Sequence, residues 1–161
     1  MSRILRLAAV LTVASALAGC FDPSDRRPGT RLSGDVVAPP SDWSFTDAHQ
    51  EIAVEVKGFL GLPHSVTIWC ASVDGALYLG ARAPETKRWP GWVDRDPDVR
   101  LGIDTKLYEV RLVAVEEAAT LERLRAAYAR KYALPAPSDA EPGPPVRYWK
   151  VEPRRSLPPP A

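Results

Sequence analysis

The sequence is poor in histidine and cysteine, the nitrogen and sulfur ligands of zinc sites. It contains two histidines and two cysteines in 161 residues, whereas a zinc site needs three or four protein ligands in a suitable arrangement. His49 and His64 fall in different predicted elements, and Cys70 lies within the apolar, β-rich run of residues 66–71. We therefore predict no metal site, and we expect Cys70 to be a small buried hydrophobic residue.

The sequence also lacks an excess of charge of either sign. Lysine and arginine total 21, and aspartate and glutamate total 20. A balance of this kind provides no broad field for nucleic acid or for an anionic membrane surface. Glycine-rich phosphate loops are absent, and the adjacent pair His64 and Ser65 lacks the strand, tight turn and helix that expose a hydrolase nucleophile. These absences disfavour nucleic-acid binding, phosphate-loop chemistry and serine hydrolysis.

What is present begins with a secretory pattern in the first twenty residues. Arg3 and Arg6 precede an apolar run over residues 7–18, which is shorter than the roughly 18 or more apolar residues of a membrane span. The run closes with LAGC at residues 17–20, which resembles the lipobox of bacterial lipoproteins. The resemblance implies that residues 1–19 are removed and that Cys20 is acylated and holds the protein to a membrane. The alternative, a buried N-terminal helix with Cys20 as a core thiol, is disfavoured because the segment has no solvated face.

The expected location is therefore the cell envelope. Phe21 rather than aspartate follows Cys20, which by resemblance to sorted lipoproteins favours the periplasmic side of the outer membrane in a cell that has one, although Asp22 weakens this assignment. Once Cys20 carries lipid, Cys70 is the remaining thiol, and no internal disulfide is expected.

Composition predicts the division of the rest of the chain. Residues 20–42 are rich in proline, glycine, serine and charge, which is typical of a flexible tether. Residues 43–152 form the predicted domain, which the proline-rich stretch 134–145 interrupts, and residues 153–161 are expected to be a disordered tail.

Within the domain the hydrophobic period is mostly two, which predicts strands. Asp74 and Gly75 separate two such runs and favour a type I′ turn. The period becomes helical over residues 116–132, with acidic residues at the start and basic residues at the end. The predicted strands cover residues 52–56, 66–73, 76–81, 99–103, 107–115 and 146–151. The predicted fold is mainly β (α+β): a small antiparallel barrel of about six strands with one helix in the C-terminal half.

From residue 66 to residue 151 the order of elements and several local strings resemble a known superfamily. The strings are TIW (67–69), DGALYL (74–79), KRW (87–89), DPDVRL (96–101) and AYARKY (127–132). The chain resembles the pyridoxamine-phosphate-oxidase-like split β-barrel superfamily of flavin-binding proteins, in an uncharacterised branch. The resemblance implies a split barrel, flavin mononucleotide (FMN) as the cofactor, and a homodimer with the cofactor at its interface.

The resemblance also implies a site. In flavin-binding members a Ser/Thr-x-Lys or similar stretch contacts the FMN phosphate, and Thr86, Lys87 and Arg88 occupy that place here. The arginine that such members place near the first hairpin strand is replaced by LPHS at residues 62–65. The candidate cofactor-binding residues are Arg82, Thr86, Lys87, Arg88, Trp89 and Trp92.

The residue chemistry allows two interpretations of this stretch. Cations can surround the three oxygens of a phosphate, and tryptophan faces can stack on a flat ring. The same cations can be solvated, and the same tryptophans can be core.

Two functional hypotheses follow. The first is a membrane-tethered, flavin-binding protein, which as an enzyme would be a flavin-dependent oxidoreductase. The second is a non-catalytic envelope domain that has lost the cofactor and binds a small molecule or another protein. FMN is made in the cytoplasm and no twin-arginine pair precedes the apolar run, which slightly favours the second hypothesis.

Overall fold

The computed structural model describes residues 29, 31–134 and 143–154. The predicted signal, Cys20 and most of the proline-rich stretch and tail lie outside the described residues. The strands are β1 (Asp35–Val37), β2 (Glu51–Lys57), β3 (Pro63–Val73), β4 (Ala76–Arg82), β5 (Asp98–Ile103), β6 (Lys106–Ala114) and β7 (Val146–Pro153). The helices are α1 (Trp89–Arg95) and α2 (Ala118–Lys131), and short 3-10 helices cover Ser44–Ala48, Phe59–Gly61 and Pro84–Thr86.

Six strands close into an antiparallel barrel in the order β6, β5, β2, β3, β4, β7, with β7 pairing back to β6. The predicted barrel of about six strands is therefore confirmed. The β3–β4 turn has the predicted geometry, because Asp74 and Gly75 both take positive φ angles, +52° and +74°, as a type I′ turn requires.

The core fills the barrel, and a second apolar cluster lies under α2. The inward-facing residues, which alternate along each strand of the barrel, pack together, and Trp89 and Val93 of α1 join them. Leu124, Ala127 and Tyr128 form the buried face of α2, and the helix predicted over residues 116–132 is confirmed over Ala118–Lys131. The apolar residues Val54, Ile68, Val99, Leu101, Val110, Leu112, Leu124 and Trp149 are buried, and Val66 is half-buried.

The structure differs from the predicted tether over residues 31–42. β1 pairs in parallel with β6, and the Leu32 N–H donates to Oε2 of Glu55 at 2.6 Å. A Cβ at Gly34 would overlap the Thr105 carbonyl oxygen, so glycine permits this close approach. The segment lies on the barrel because backbone groups at the start of β6, residues 106–108, pair with residues 35–37. At the other end, β7 extends to Pro153, two residues beyond the predicted strand.

Helix α1 lies in a stretch where the sequence pattern predicts a loop. Pro90 lies in its first turn, where a missing backbone N–H costs little. The Asp94 carboxylate at its end pairs with Arg147 of β7, with oxygen–nitrogen distances of 2.5 and 2.9 Å. The helix therefore connects β4 to β5 and is held against β7.

Candidate functional site

The predicted phosphate-binding residues lie on the connection between β4 and α1, which we call the cation loop (residues 82–88). β4 ends at Arg82, and Ala83 takes a left-handed conformation with φ +49°. The Ala83 N–H donates to the Pro145 carbonyl at 2.8 Å, which holds the loop beside the start of β7. The Thr86 hydroxyl donates to the Ala83 carbonyl at 2.8 Å. Thr86 is exposed, and its hydroxyl braces the turn.

The charges of the cation loop are exposed and have no acidic partner in the part of the chain that the structure describes. Arg82, Lys87 and Arg88 are all exposed. The Lys87 ammonium donates to the Arg82 carbonyl at 2.6 Å, which fixes one of its three protons and leaves two. No carboxylate of residues 29, 31–134 or 143–154 pairs with these three cations. Among the described residues, no carboxylate neutralises their charges, as a site for an anion requires.

The two tryptophans of the predicted site lie in different environments. Trp89 is 5% exposed, and its ring centroid is 5.0 Å from that of Trp149. The expectation that Trp89 could line a flavin site therefore needs correction, because its ring is used in the core. Trp92 is half-buried and meets the His64 ring edge-on, with centroids 5.0 Å apart. Trp92 therefore packs beside the start of β3, where His64 lies.

The sequence pattern does not predict a cleft of about 160 Å³ that lies on the outside of β2, β5 and β6. Arg100 Nε lies 3.2 Å from Glu109 Oε1, and Arg100 Nη1 lies 3.7 Å from Glu55 Oε1. Arg154 Nη1 lies 3.4 Å from Glu109 Oε2. These charges neutralise one another, so the network stabilises the sheet surface more readily than it binds a ligand. These residues come together because of the register in which the strands pair, and that register could not be read from the sequence pattern.

A second cleft, of about 300 Å³, lies between α2 and the segment before β2. The Lys131 ammonium donates to the Thr46 carbonyl at 2.9 Å and lies 3.7 Å from the Cys70 sulfur. Cys70 is fully buried, as predicted, and burial raises the pKa of its thiol, although nearby Lys131 opposes that effect. Cys70 is therefore a poor nucleophile in the native protein.

The remaining candidate residues of the sequence are structural in the described part of the chain. Ser65 is 1% exposed and cannot present a nucleophile to solvent. His49 Nε2 lies 3.6 Å from an Asp104 carboxylate oxygen.

Across residues 29, 31–134 and 143–154, no group of three or more His, Cys, Asp or Glu side chains is placed to hold a metal ion. None of the helices in that part of the chain is both long and apolar enough to cross a bilayer.

Comparison with known proteins identifies a family match and fold neighbours. The model of a family described as an uncharacterized protein conserved in bacteria, DUF2255, matches residues 45–147. A search of curated proteins found no match.

Three solved structures have similar folds. A conserved hypothetical protein from Mycobacterium tuberculosis is 22% identical, with a TM-score of 0.56 over 78% of this chain and 87% of that one. A domain-swapped dimer is 16% identical, with a TM-score of 0.53 over 65% of this chain and 81% of that one. A candidate pyridoxamine 5′-phosphate oxidase from Listeria innocua is 15% identical, with a TM-score of 0.50 over 68% of this chain and 87% of that one.

Proposed function

Since the chain belongs to the DUF2255 family of uncharacterized proteins conserved in bacteria, we propose from its fold and its site that it is a membrane-anchored protein that binds a phosphate-bearing ligand of the FMN class. The observation that carries this proposal is the cation loop. Arg82, Lys87 and Arg88 lie within seven residues, are exposed, and have no carboxylate partner among the described residues. Grouped cations of this kind suit a phosphate, which offers three acceptor oxygens.

The residues of the loop fit the phosphate end of FMN better than its ring. Two arginines can each present a fork of N–H donors, and Lys87 retains two ammonium protons. The ring has fewer partners, because Trp89 packs in the core and only Trp92 keeps a partly exposed face. FMN supplies hydride and electron transfer chemistry when bound. In this chain the cation loop would bind the phosphate group.

Fold likeness supports the choice of ligand class. The Listeria protein is described as an oxidase that acts on a phosphate ester, pyridoxamine 5′-phosphate, and the sequence resembles the superfamily of flavin-binding split barrels. At 15% identity this likeness extends to the fold alone. The phosphate is the chemical feature that the Listeria protein's substrate shares with FMN.

We further propose that a second copy of the chain completes the site. Pockets for ligands of this size enclose roughly 300–1,000 Å³ and are mainly apolar. The two clefts described above are lined largely by charged and polar side chains, and neither includes the cation loop. A homodimer would cover the loop, and the similarity to a domain-swapped dimer supports that assembly.

The anchor is proposed from Cys20 and the apolar run before it. Changing Cys20 to serine should leave a larger precursor that takes up no labelled fatty acid, whereas the parent should carry the label and sediment with membranes. An unchanged mass and unchanged labelling of the variant would contradict the proposed anchor.

A second candidate function is an envelope binding domain without cofactor, and the core position of Trp89 favours it. Absorbance separates the two candidates. The full chain, purified in detergent, incubated with excess FMN and then separated from unbound FMN by gel filtration, should retain a flavin absorption band if the first proposal holds. A protein that elutes without this band would favour the second.

A further inference from the structure

The loop between β2 and β3, residues 58–62, carries a concentrated group of exposed apolar side chains. Phe59, Leu60 and Leu62 are 73%, 81% and 63% exposed. Single exposed apolar residues are ordinary, but three at one loop tip indicate an interaction surface. We call this segment the apolar loop.

The apolar loop is held in shape by its own backbone. The Gly58 N–H donates to the Leu62 carbonyl at 2.8 Å, and the Leu62 N–H donates to the Phe59 carbonyl at 3.1 Å. Leu60 takes a left-handed conformation, φ +54° and ψ +25°, which is uncommon for a residue with a branched side chain. A Cβ at Gly58 would lie 3.3 Å from the Trp92 ring, so α1 packs closely against the base of the loop. The fold therefore maintains an arrangement that leaves these side chains in solvent.

The described chain leading from the N-terminus meets the barrel beside this loop. The Gly29 N–H donates to the Ser65 carbonyl at 2.7 Å, and Ser65 lies two residues after the start of β3. Arg31 lines the same cleft as Gly61 and Pro63. Nine residue steps separate Cys20 from Gly29, and a chain spans at most about 3.3–3.6 Å per residue. Cys20 would therefore lie no more than about 32 Å from Gly29, and Gly29 itself contacts the barrel at the start of β3, beside the apolar loop.

Two cations beside the loop have no acidic partner in the described part of the chain. Arg31 shares the cleft with Gly61, and Arg95 precedes Asp96, whose carboxylate bonds to Lys57 at 2.6 Å. Both arginines are exposed. The charge of the whole chain is balanced, so attraction of the apolar loop to lipid headgroups depends on local cations such as this pair. Exposed apolar side chains next to cations are the combination that binds at a bilayer interface.

We propose that the apolar loop docks on the phospholipid bilayer, with Phe59, Leu60 and Leu62 entering its interfacial region. This inference rests on the proposed lipid anchor, since the anchor brings the loop to the surface. Docking would set the orientation of the barrel relative to the membrane.

The test places an environment-sensitive probe on the loop of the full chain. Leu60→Cys and Thr105→Cys would each be labelled with a nitrobenzoxadiazole (NBD) dye and reconstituted into vesicles of phosphatidylethanolamine and phosphatidylglycerol. Thr105 is the matched control, because it lies at the other end of the barrel. The apolar loop follows the last residue of β2, whereas Thr105 lies in the β5–β6 turn, beside the start of β2, where Ala53 pairs with Gly102. We expect a blue-shifted emission that brominated lipid quenches at position 60, and neither effect at position 105.

Two further variants and a concentration series separate bilayer docking from self-association. Phe59→Ser with Leu62→Ser should abolish the blue shift at position 60, whereas Val36→Ser, at a residue 60% exposed elsewhere, should preserve it. Equal emission at positions 60 and 105 in vesicles would overturn the proposal. A blue shift that occurs without vesicles and grows with protein concentration would also overturn it, and would indicate a second copy instead.

Fatty-acid labelling of Cys20 is measured on the same preparations. Protein that carries the fatty acid on Cys20 but shows no NBD blue shift at position 60 contradicts the docking proposal and leaves the anchor standing. A lipid-quenched response in protein without acylated Cys20 contradicts the anchor and supports docking.

Discussion

Trp89 of α1 packs against Trp149 of β7, with ring centroids 5.0 Å apart and ring planes tilted by 47°. Both rings are nearly inaccessible to solvent, at 5% and 1% exposure. The contact joins the helix that follows the cation loop to a strand of the barrel. Trp89 therefore holds the start of α1 against the core, and the proposed phosphate site consists of the loop cations without its ring.

Replacing Trp89 by alanine should lower the free energy of unfolding by about 3–5 kcal/mol, because it removes a buried aromatic side chain and leaves a cavity. Trp92→Ala, at a half-buried position, should cost less. Urea denaturation followed by circular dichroism measures both. Equal stability of the Trp89→Ala variant and the parent would show that the ring is not part of the core.

Leu101 tests the barrel interior. It is fully buried on β5, so Leu101→Ala should cost about 2–5 kcal/mol. Val36→Ala is the control, since Val36 is 60% exposed on β1 and its truncation should change stability by no more than about 0.5 kcal/mol. Similar losses for the two variants would be inconsistent with the described core.

The Asp94–Arg147 pair predicts a pH dependence. Hydrogen bonds from Arg147 hold the pKa of the Asp94 carboxyl below its ordinary value of 3.8. A depressed pKa in the folded state means that the carboxylate stabilises the protein above pH 3.8, and that this contribution is lost as the pH falls through the folded-state value. Both side chains are partly exposed, so the contribution is less than about 1 kcal/mol.

Asp94→Asn should therefore be less stable than the parent at pH 7, and the difference should shrink as the pH is lowered through this range. Thermal unfolding at several pH values measures the difference. A difference that stays constant as the pH falls well below 3.8 would argue against the ion pair as its cause.

The strands and α2 could be predicted from the sequence because their signals are local. Ile52, Val54 and Val56 alternate along β2, and Asp74-Gly75 specifies its own turn. β1 has three residues, which are too few to show an alternating pattern. It forms a strand because it pairs with β6. Helix α1 could not be predicted because Pro90 and Gly91 are typical of loops, although proline is well tolerated in the first turn of a helix.

The site was predictable in part for the same reason. The grouping of Arg82, Lys87 and Arg88 is local and is visible in the sequence. The core position of Trp89 depends on where α1 packs on the barrel. The ion pairs around Arg100 depend on which strands meet and in which register, because a one-residue shift would place these strand side chains on the opposite face.

The most direct test of the central claim is a titration of the full chain with FMN, followed by quenching of flavin fluorescence. Charge-assisted contacts contribute roughly 1.5–3 kcal/mol each, so Lys87→Ala and Arg88→Ala should each weaken binding by about tenfold or more. Arg123→Ala is the matched control, because it removes a cation that pairs with Asp74 at the β3–β4 turn, and it should bind as the parent does. An absence of quenching in the parent, or parent-like binding by both loop variants, would contradict the proposal that the cation loop holds a phosphate.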